Sequence, residues 1–327
     1  MLVKPLFAAI SLFLLLSNVH ATVGDSVGLV VSTDQAKVQK GMFVFIAPND
    51  RKIIEVNEGG GITWEYQIPN NVIQDGRIFA GSDVEWIKDS DTFLFEIPGS
   101  GAFEVNRAKE IVWQYRTKFI SHDTDKLSNG NVIFVNGWDS MNDPLVTEVT
   151  RDGRVVRELR IGDFPLDPKD SSMQEQTVAH TNSVAVQEDG SILVSFRNFG
   201  QVLLMKDGKE IKRWTNIGNV HDPELLTDSL IACNHGDESK RKQFIERIAN
   251  DGSRSEVGVV REKELAPLRS CSVLPNGNYL ATGSTALLQF TPQGELVWRL
   301  NLNGFVHQRS AGKSRNFLYK ATFVRPD

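Results

Sequence analysis

From about residue 28 onward, short apolar stretches of period-two alternation are cut at regular intervals by Asn-Gly, Asp-Gly or Gly-Gly, and helical periodicity of useful length is almost missing. Such a chain is all-β. The units 28–69, 71–119, 121–159, 179–215, 220–260 and 270–304 each read as a strand, a tight turn, a second strand, then two more strands around a polar turn. The first turn falls at Asn129-Gly130, Asp189-Gly190, Asp228-Ser229 or Asn276-Gly277, and the second at Asp152-Gly153, Asp207-Gly208, Asp251-Gly252 or Gln293-Gly294. Asn-Gly and Asp-Gly tolerate the positive φ that two-residue hairpin turns require. Four short antiparallel strands per unit are what a propeller blade needs, so six units predict a six-bladed β-propeller of four-stranded antiparallel blades. The uniform repeat argues for one domain over 22–327. The carboxy-terminal strand in LYKATFV is expected to complete the first blade beside GLVVS, removing an exposed sheet edge.

Several units close on a tryptophan after the second turn, namely Trp64, Trp113, Trp214 and Trp298. These aromatics are expected to pack between adjacent blades.

Residues 1–21 read as a secretory signal: Lys4 supplies positive charge, 6–16 form a short apolar run, and Val19-His20-Ala21 ends in the small residue that signal peptidase prefers. The mature chain then begins near Thr22, in the periplasm or outside the cell. The apolar run is too short for a stable membrane anchor, and no cysteine near the cleavage point can take a lipid. A net charge of -5 gives no basic excess of the kind that nucleic acid selects. The two cysteines, Cys233 and Cys271, are compatible with one disulfide between neighbouring repeats or with two buried thiols, since spacing cannot decide Cβ proximity.

Three of the 6 histidines fall near the same place in three consecutive units: His122 in SHDTDKLSNGN, His180 in AHTNSVAVQEDGS and His221 in VHDPELLTDS. Each precedes the first turn, at the start of the strand that lines a propeller's central channel, so three blades present imidazole to one mouth. Hairpin arithmetic pairs His180 with Arg197 across one turn and His221 with His235 across another. Asn182 shares the strand face of His180. The same offset in the last unit falls on Arg269. Asp123 and Asp222 follow a histidine directly and are expected on the other side of the strand, orienting rings or accepting from the backbone.

Several imidazoles, a guanidinium and an amide suit an oxyanion, over which donors can spread while arginine engages two oxygens at once. A neutral imidazole is also a nucleophile near neutral pH, and a second can move protons. Group transfer through a covalent histidine adduct is therefore accessible, with Arg197, Asn182 and a protonated histidine stabilising charge on the transferred group.

At these residues the chain resembles the bacterial arylsulfate sulfotransferases, which are six-bladed periplasmic propellers. GLVVSTDQAKVQKGMFVF and IIEVNEGGGITWEY are similar to that family's first repeat, and the three histidine segments, together with SFRNFG and CNHGD, to its histidine repeats in order. The resemblance implies transfer of a sulfuryl group from an aryl sulfate to a phenol through a sulfated histidine, without a nucleotide donor, cofactor or metal. It implies His221 as nucleophile, His122, His180, Asn182 and Arg197 as the groups that hold and polarise the sulfuryl, and His122 or His180 as the proton donor to the departing phenolate. His235 and Arg269 join the substrate-binding set, with Lys320 as a substitute for the family's active-site lysine. The family's separate amino-terminal β-domain and its short-range disulfide near the nucleophile have no counterpart here, and Asn234-His235 stand where it carries acidic and amide residues.

Other classes fit some of the same residues. Three neutral imidazoles can ligate zinc, copper or iron, although Arg197 would repel a cation. The repeated tryptophan is compatible with a quinoprotein, whose usual repeat signature is not spelled out. A non-catalytic exported propeller could bind an anionic ligand or a protein through the same mouth. Physiological donor, physiological acceptor and oligomeric state are not specified by these residues.

Overall fold

Most strands are apolar on both faces, and the computed structural model of the chain gives the reason: each sheet is sandwiched between two others. Residues 30–32, 34–73, 81–137, 143–166, 179–235, 242–262, 265–302, 305 and 318–324 are described; the expected signal segment 1–21 lies outside them. The second to fifth blades are four-stranded antiparallel sheets in chain order, beginning at Asp83–Ile87, Thr124–Lys126, Thr181–Val186 and His221–Leu225. The sixth begins at Ser270–Val273. Those first strands contact one another in succession and surround the axis. The fold is a six-bladed β-propeller.

Six hydrophobic clusters serve the six blade interfaces. Ile133 and Val135 point into the cluster shared by the third and fourth blades, while Val132 and Phe134 of the same strand point into the one shared by the second and third. The period-two rule is thus intact with both faces buried. Between the sixth and first blades Trp298 stacks on Phe43 at 5.0 Å within a cluster that includes Phe45, Leu287 and Val297. Three of the four expected inter-blade tryptophans follow one pattern. Trp64, Trp113 and Trp298 each donate an indole N–H to a carbonyl in the outer turn of the next blade, those of Arg107, Arg151 and Glu58.

Ring closure differs in one respect from the expectation. Ala321–Val324 does complete the first blade, but it pairs with Met42–Ala47. The GLVVS segment instead contributes Val30–Ser32 as a fifth strand on the outer edge of the sixth blade, against Leu296–Asn301. The first and last described strands therefore lie at the same blade junction, and each covers an open edge.

The turns also differ from two-residue hairpins. At Gly130, Gly190 and Gly277, and likewise at Gly153, Gly252 and Gly294, the glycine N–H bonds to the carbonyl three residues back and φ lies between 80° and 85°. This is a type I turn followed by a left-handed glycine bulge, for which Asn-Gly is equally suited. Asp207-Gly208, with φ of 50° and 74°, adopts the two-residue form, and so does Thr227-Asp228, where Leu226 N–H bonds to Ser229 O at 2.8 Å. Among the described residues no helix is long and apolar enough to cross a membrane.

Candidate active site

The residue at or just before each inner strand is the one that reaches the mouth. His122, His180, His221, Arg269 and Tyr319 occupy this place in the third, fourth, fifth, sixth and first blades. All five are brought into one group.

His122 and His180 form its first half. Their Nε2 atoms lie 3.2 Å apart, with the rings edge to face at 80°. When both rings are neutral, one Nε2 carries the proton that the other accepts. Both residues have left-handed backbones, with φ of 83° and 53°. Non-glycine residues adopt this conformation only where surrounding contacts impose it, which functional sites do. For His122 those contacts are its N–H bonding to Gly81 O at 2.7 Å and to Glu96 Oε1 at 2.9 Å, and its Nδ1 lying 2.8 Å from Ser121 Oγ. The ring fits because Gly137 has no side chain: a Cβ there would lie 2.2 Å from Nδ1.

The His180 hairpin reaches the pairing that the turn arithmetic predicts, past a one-residue shift between Thr181 and Ser183. Arg197 N–H donates to His180 O, and Arg197 Nη1 is 3.4 Å from each nitrogen of the His180 ring. Asn182 donates from Nδ2 to Val220 O at 3.2 Å, bridging to the next blade, while its buried Oδ1 has no hydrogen-bond partner.

His221 and His235 form the second half, their rings stacked at 4.6 Å and 19°. The expected ladder pairing of these two is not observed: His221 faces Cys233, and the register shifts between His221 and Glu224. The shift spans Asp222, whose φ is 40°, and Pro223, which has no N–H to give a ladder. His221 Nδ1 lies 2.6 Å from Asn219 O, and His235 Nε2 lies 2.6 Å from Leu268 O. A carbonyl can only accept, so each of those ring nitrogens carries the proton. His221 Nε2 is then the atom with the available lone pair.

Tyr319 sits between the two halves, 5.3 Å from the His122 ring and 6.3 Å from that of His221, with the Arg269 guanidinium 5.3 Å from its centroid. Sequence reasoning passed over this residue in favour of its neighbour Lys320. Its place just before the inner strand, matching the histidines, is the signal that identifies it.

Burial makes the imidazoles neutral. It pushes His180 and His235 down to about 3 and holds His122 and His221 well below the ordinary histidine range, with Arg197 and Arg269 lowering all four further. A group of neutral rings under the field of two guanidiniums favours an anion.

Lys320 belongs to an adjoining shell. Its Nζ lies 2.7 Å from Glu85, 3.0 Å from Asp123, 3.4 Å from Asp222 and 3.6 Å from Asp83, so its charge is committed to carboxylates and not to the imidazole group. Burial alone would lower its pKa; those carboxylates outweigh burial and raise it. Asp123 and Asp222, each following a histidine, thus face the lysine that follows Tyr319. Asp123 also accepts from Val184 N–H of the next blade through its other oxygen, at 2.8 Å.

Cys233 and Cys271 are disulfide-bonded, with Cα atoms 5.7 Å apart. The bond joins the strand opposite His221 to the strand that follows Arg269. Among the described residues no three histidines offer ligating atoms within 4.8 Å of one another. Among the described residues, the set of three ligating atoms lying within 4.8 Å of one another is Asp83, Glu85 and Asp123.

No protein-family profile matches the chain, and neither does any curated protein sequence. Solved structures do resemble it. A protein of unknown function from Bacteroides caccae matches with a TM-score of 0.56 at 15% identity, over 83% of this chain and 97% of that one. The virginiamycin B lyase of Staphylococcus aureus matches with a TM-score of 0.53 at 15% identity, over 83% of this chain and 87% of that one. A gluconolactonase from Xanthomonas campestris matches with a TM-score of 0.53 at 13% identity, over 86% of this chain and 90% of that one. At such identities the likeness concerns the fold alone.

Proposed function

We propose that this propeller is an exported sulfuryl transferase of the arylsulfate sulfotransferase type, acting in the periplasm or outside the cell. The observation that carries this reading is the His221 tautomer. With Nδ1–H fixed on Asn219 O, Nε2 is an unprotonated nucleophile under the influence of Arg197 and Arg269.

In the first step His221 Nε2 attacks the sulfur of an aryl sulfate, an N–S bond forms, and the S–O bond to the aryl group breaks. The phenolate takes one extra proton that the His122–His180 pair has taken up from solvent as the anionic donor binds, which returns the pair to its neutral form. An anionic sulfate beside these rings offsets the two guanidiniums and restores their basicity, so the pair can hold that proton in the complex. In the second step an acceptor phenol gives its proton to the same pair and attacks the sulfur, releasing His221. Arg197, Arg269 and the Asn182 amide spread over the equatorial oxygens.

The test is release of 4-nitrophenol from its sulfate ester by the mature protein, with and without phenol. Phenol-dependent release by the wild type that is lost in His221→Ala supports the reading. Retention of an aryl sulfate without turnover points instead to a binding module.

A further inference from the structure

The axis of the ring holds a second group of polar residues whose chemistry is that of a cation site. Asp83 and Glu85 come from the second blade, Asp123 from the third and Asp222 from the fifth, while Lys320 enters from the first. Four carboxylates from three blades thus converge on one ammonium, whose side chain is only 12% exposed.

Two features distinguish this arrangement from a solvated acidic patch. The ligand oxygens of Asp83, Glu85 and Asp123 all lie within 4.8 Å of one another, which is the span of a shell with metal–oxygen distances of about 2.4 Å, the calcium range. Asp83 is fully buried, and its Oδ1 makes no hydrogen bond while facing Nζ at 3.6 Å.

We propose that the axial carboxylates form a built cation site whose occupant is the ammonium of Lys320, and that removing this side chain lets the site take one oxygen-liganded divalent cation. A tethered ammonium meets several carboxylates at once, as a calcium ion does, but it cannot be lost to a chelator. It also fixes the closing strand across the ring. Lys320 immediately follows Tyr319, so its four carboxylate contacts hold the tyrosine between His122 and His221. Lys320 is therefore a positioning residue for the histidine group.

The experiment compares wild type, Lys320→Ala and the double variant Lys320→Ala/Asp222→Asn, each purified without a metal-binding tag and stripped with chelator. Calcium is titrated by calorimetry, and Tm is read with and without calcium. Lys320→Ala is expected to bind one ion per chain at least ~100-fold more tightly than wild type and to regain Tm on binding it, while the wild-type Tm is unchanged by calcium or chelator. Folding of Lys320→Ala only in the presence of calcium gives the same support. The double variant has one carboxylate less to repel its neighbours and carries the test if the single variant does not fold. One equivalent of calcium bound by wild type, or none bound by either variant, overturns the proposal.

Discussion

His221 Nδ1 lies 2.6 Å from the backbone oxygen of Asn219, two residues earlier in the chain. This contact fixes which ring nitrogen can attack. Replacing His221 with Ala is therefore expected to lower kcat/KM for a chromogenic aryl sulfate by ~1,000-fold or more, since the covalent route is removed. His180→Ala should lose less, on the order of 100-fold, because it removes one member of a proton-sharing pair. Equal losses at the two positions would argue against distinct roles.

Gly137 is predicted to be irreplaceable for a steric reason. The Cβ of Gly137→Ala would meet His122 Nδ1 at 2.2 Å, so the ring or the strand end must move. Thermal unfolding should show a loss of about 1–3 kcal/mol, and turnover should fall with it. Unchanged activity in Gly137→Ala would remove His122 from the site.

Asp222 offers a pH test. Burial raises its pKa to about 7 in the folded protein, while the unfolded chain has the ordinary carboxylate value near 3.8. Between those values the unfolded chain ionises and the folded one stays protonated, so this group's contribution is fully present below pH 3.8 and is lost as pH rises toward 7. Relative to Asp222→Asn, the wild type should lose stability across that window with a limiting slope of about 1.4 kcal/mol per pH unit. Denaturant unfolding of both proteins at a series of pH values measures the difference, and parallel curves would contradict it.

Two tryptophans of the same repeat position should respond differently to loss of the indole N–H. Trp298→Phe removes the bond to Glu58 O and should cost about 1 kcal/mol beyond the change in ring size. Trp214 Nε1 is buried without a hydrogen-bond partner, so Trp214→Phe forfeits no such bond. Chemical denaturation of the pair separates the bond from packing.

Replacing Cys233 and Cys271 with Ser should cost about 2–4 kcal/mol, mostly through the freer unfolded chain. Because Cys233 faces His221 and Cys271 lies close after Arg269, turnover should decline as well. A variant destabilised without loss of turnover would limit the disulfide to the scaffold.

Fold and site were legible to different depths. Turn punctuation such as Asn129-Gly130 and apolar alternation are local properties, so they disclosed blade number and strand order. The pairing of Val30–Ser32 was not legible, because the sixth blade's outer edge and the first blade's inner edge are equally able to accept a short apolar strand. Hairpin arithmetic located Arg197 beside His180, because the one-residue shift between Thr181 and Ser183 is small enough to leave that pairing in place. It missed the offset at Asp222-Pro223, yet stacking brought His235 to His221 by another route. Tyr319 carried a local signal, its place just before the closing inner strand, but the contacts of Lys320 were out of reach because they depend on where four separate blades meet, which no local pattern encodes.

The most direct test of the central claim is the intact mass of the protein after incubation with an aryl sulfate and no acceptor. The account predicts a gain of one sulfuryl group, mapped to His221, absent from His221→Ala and discharged on adding phenol. Phenol-dependent turnover without that adduct on His221, under conditions that trap it, would contradict the account.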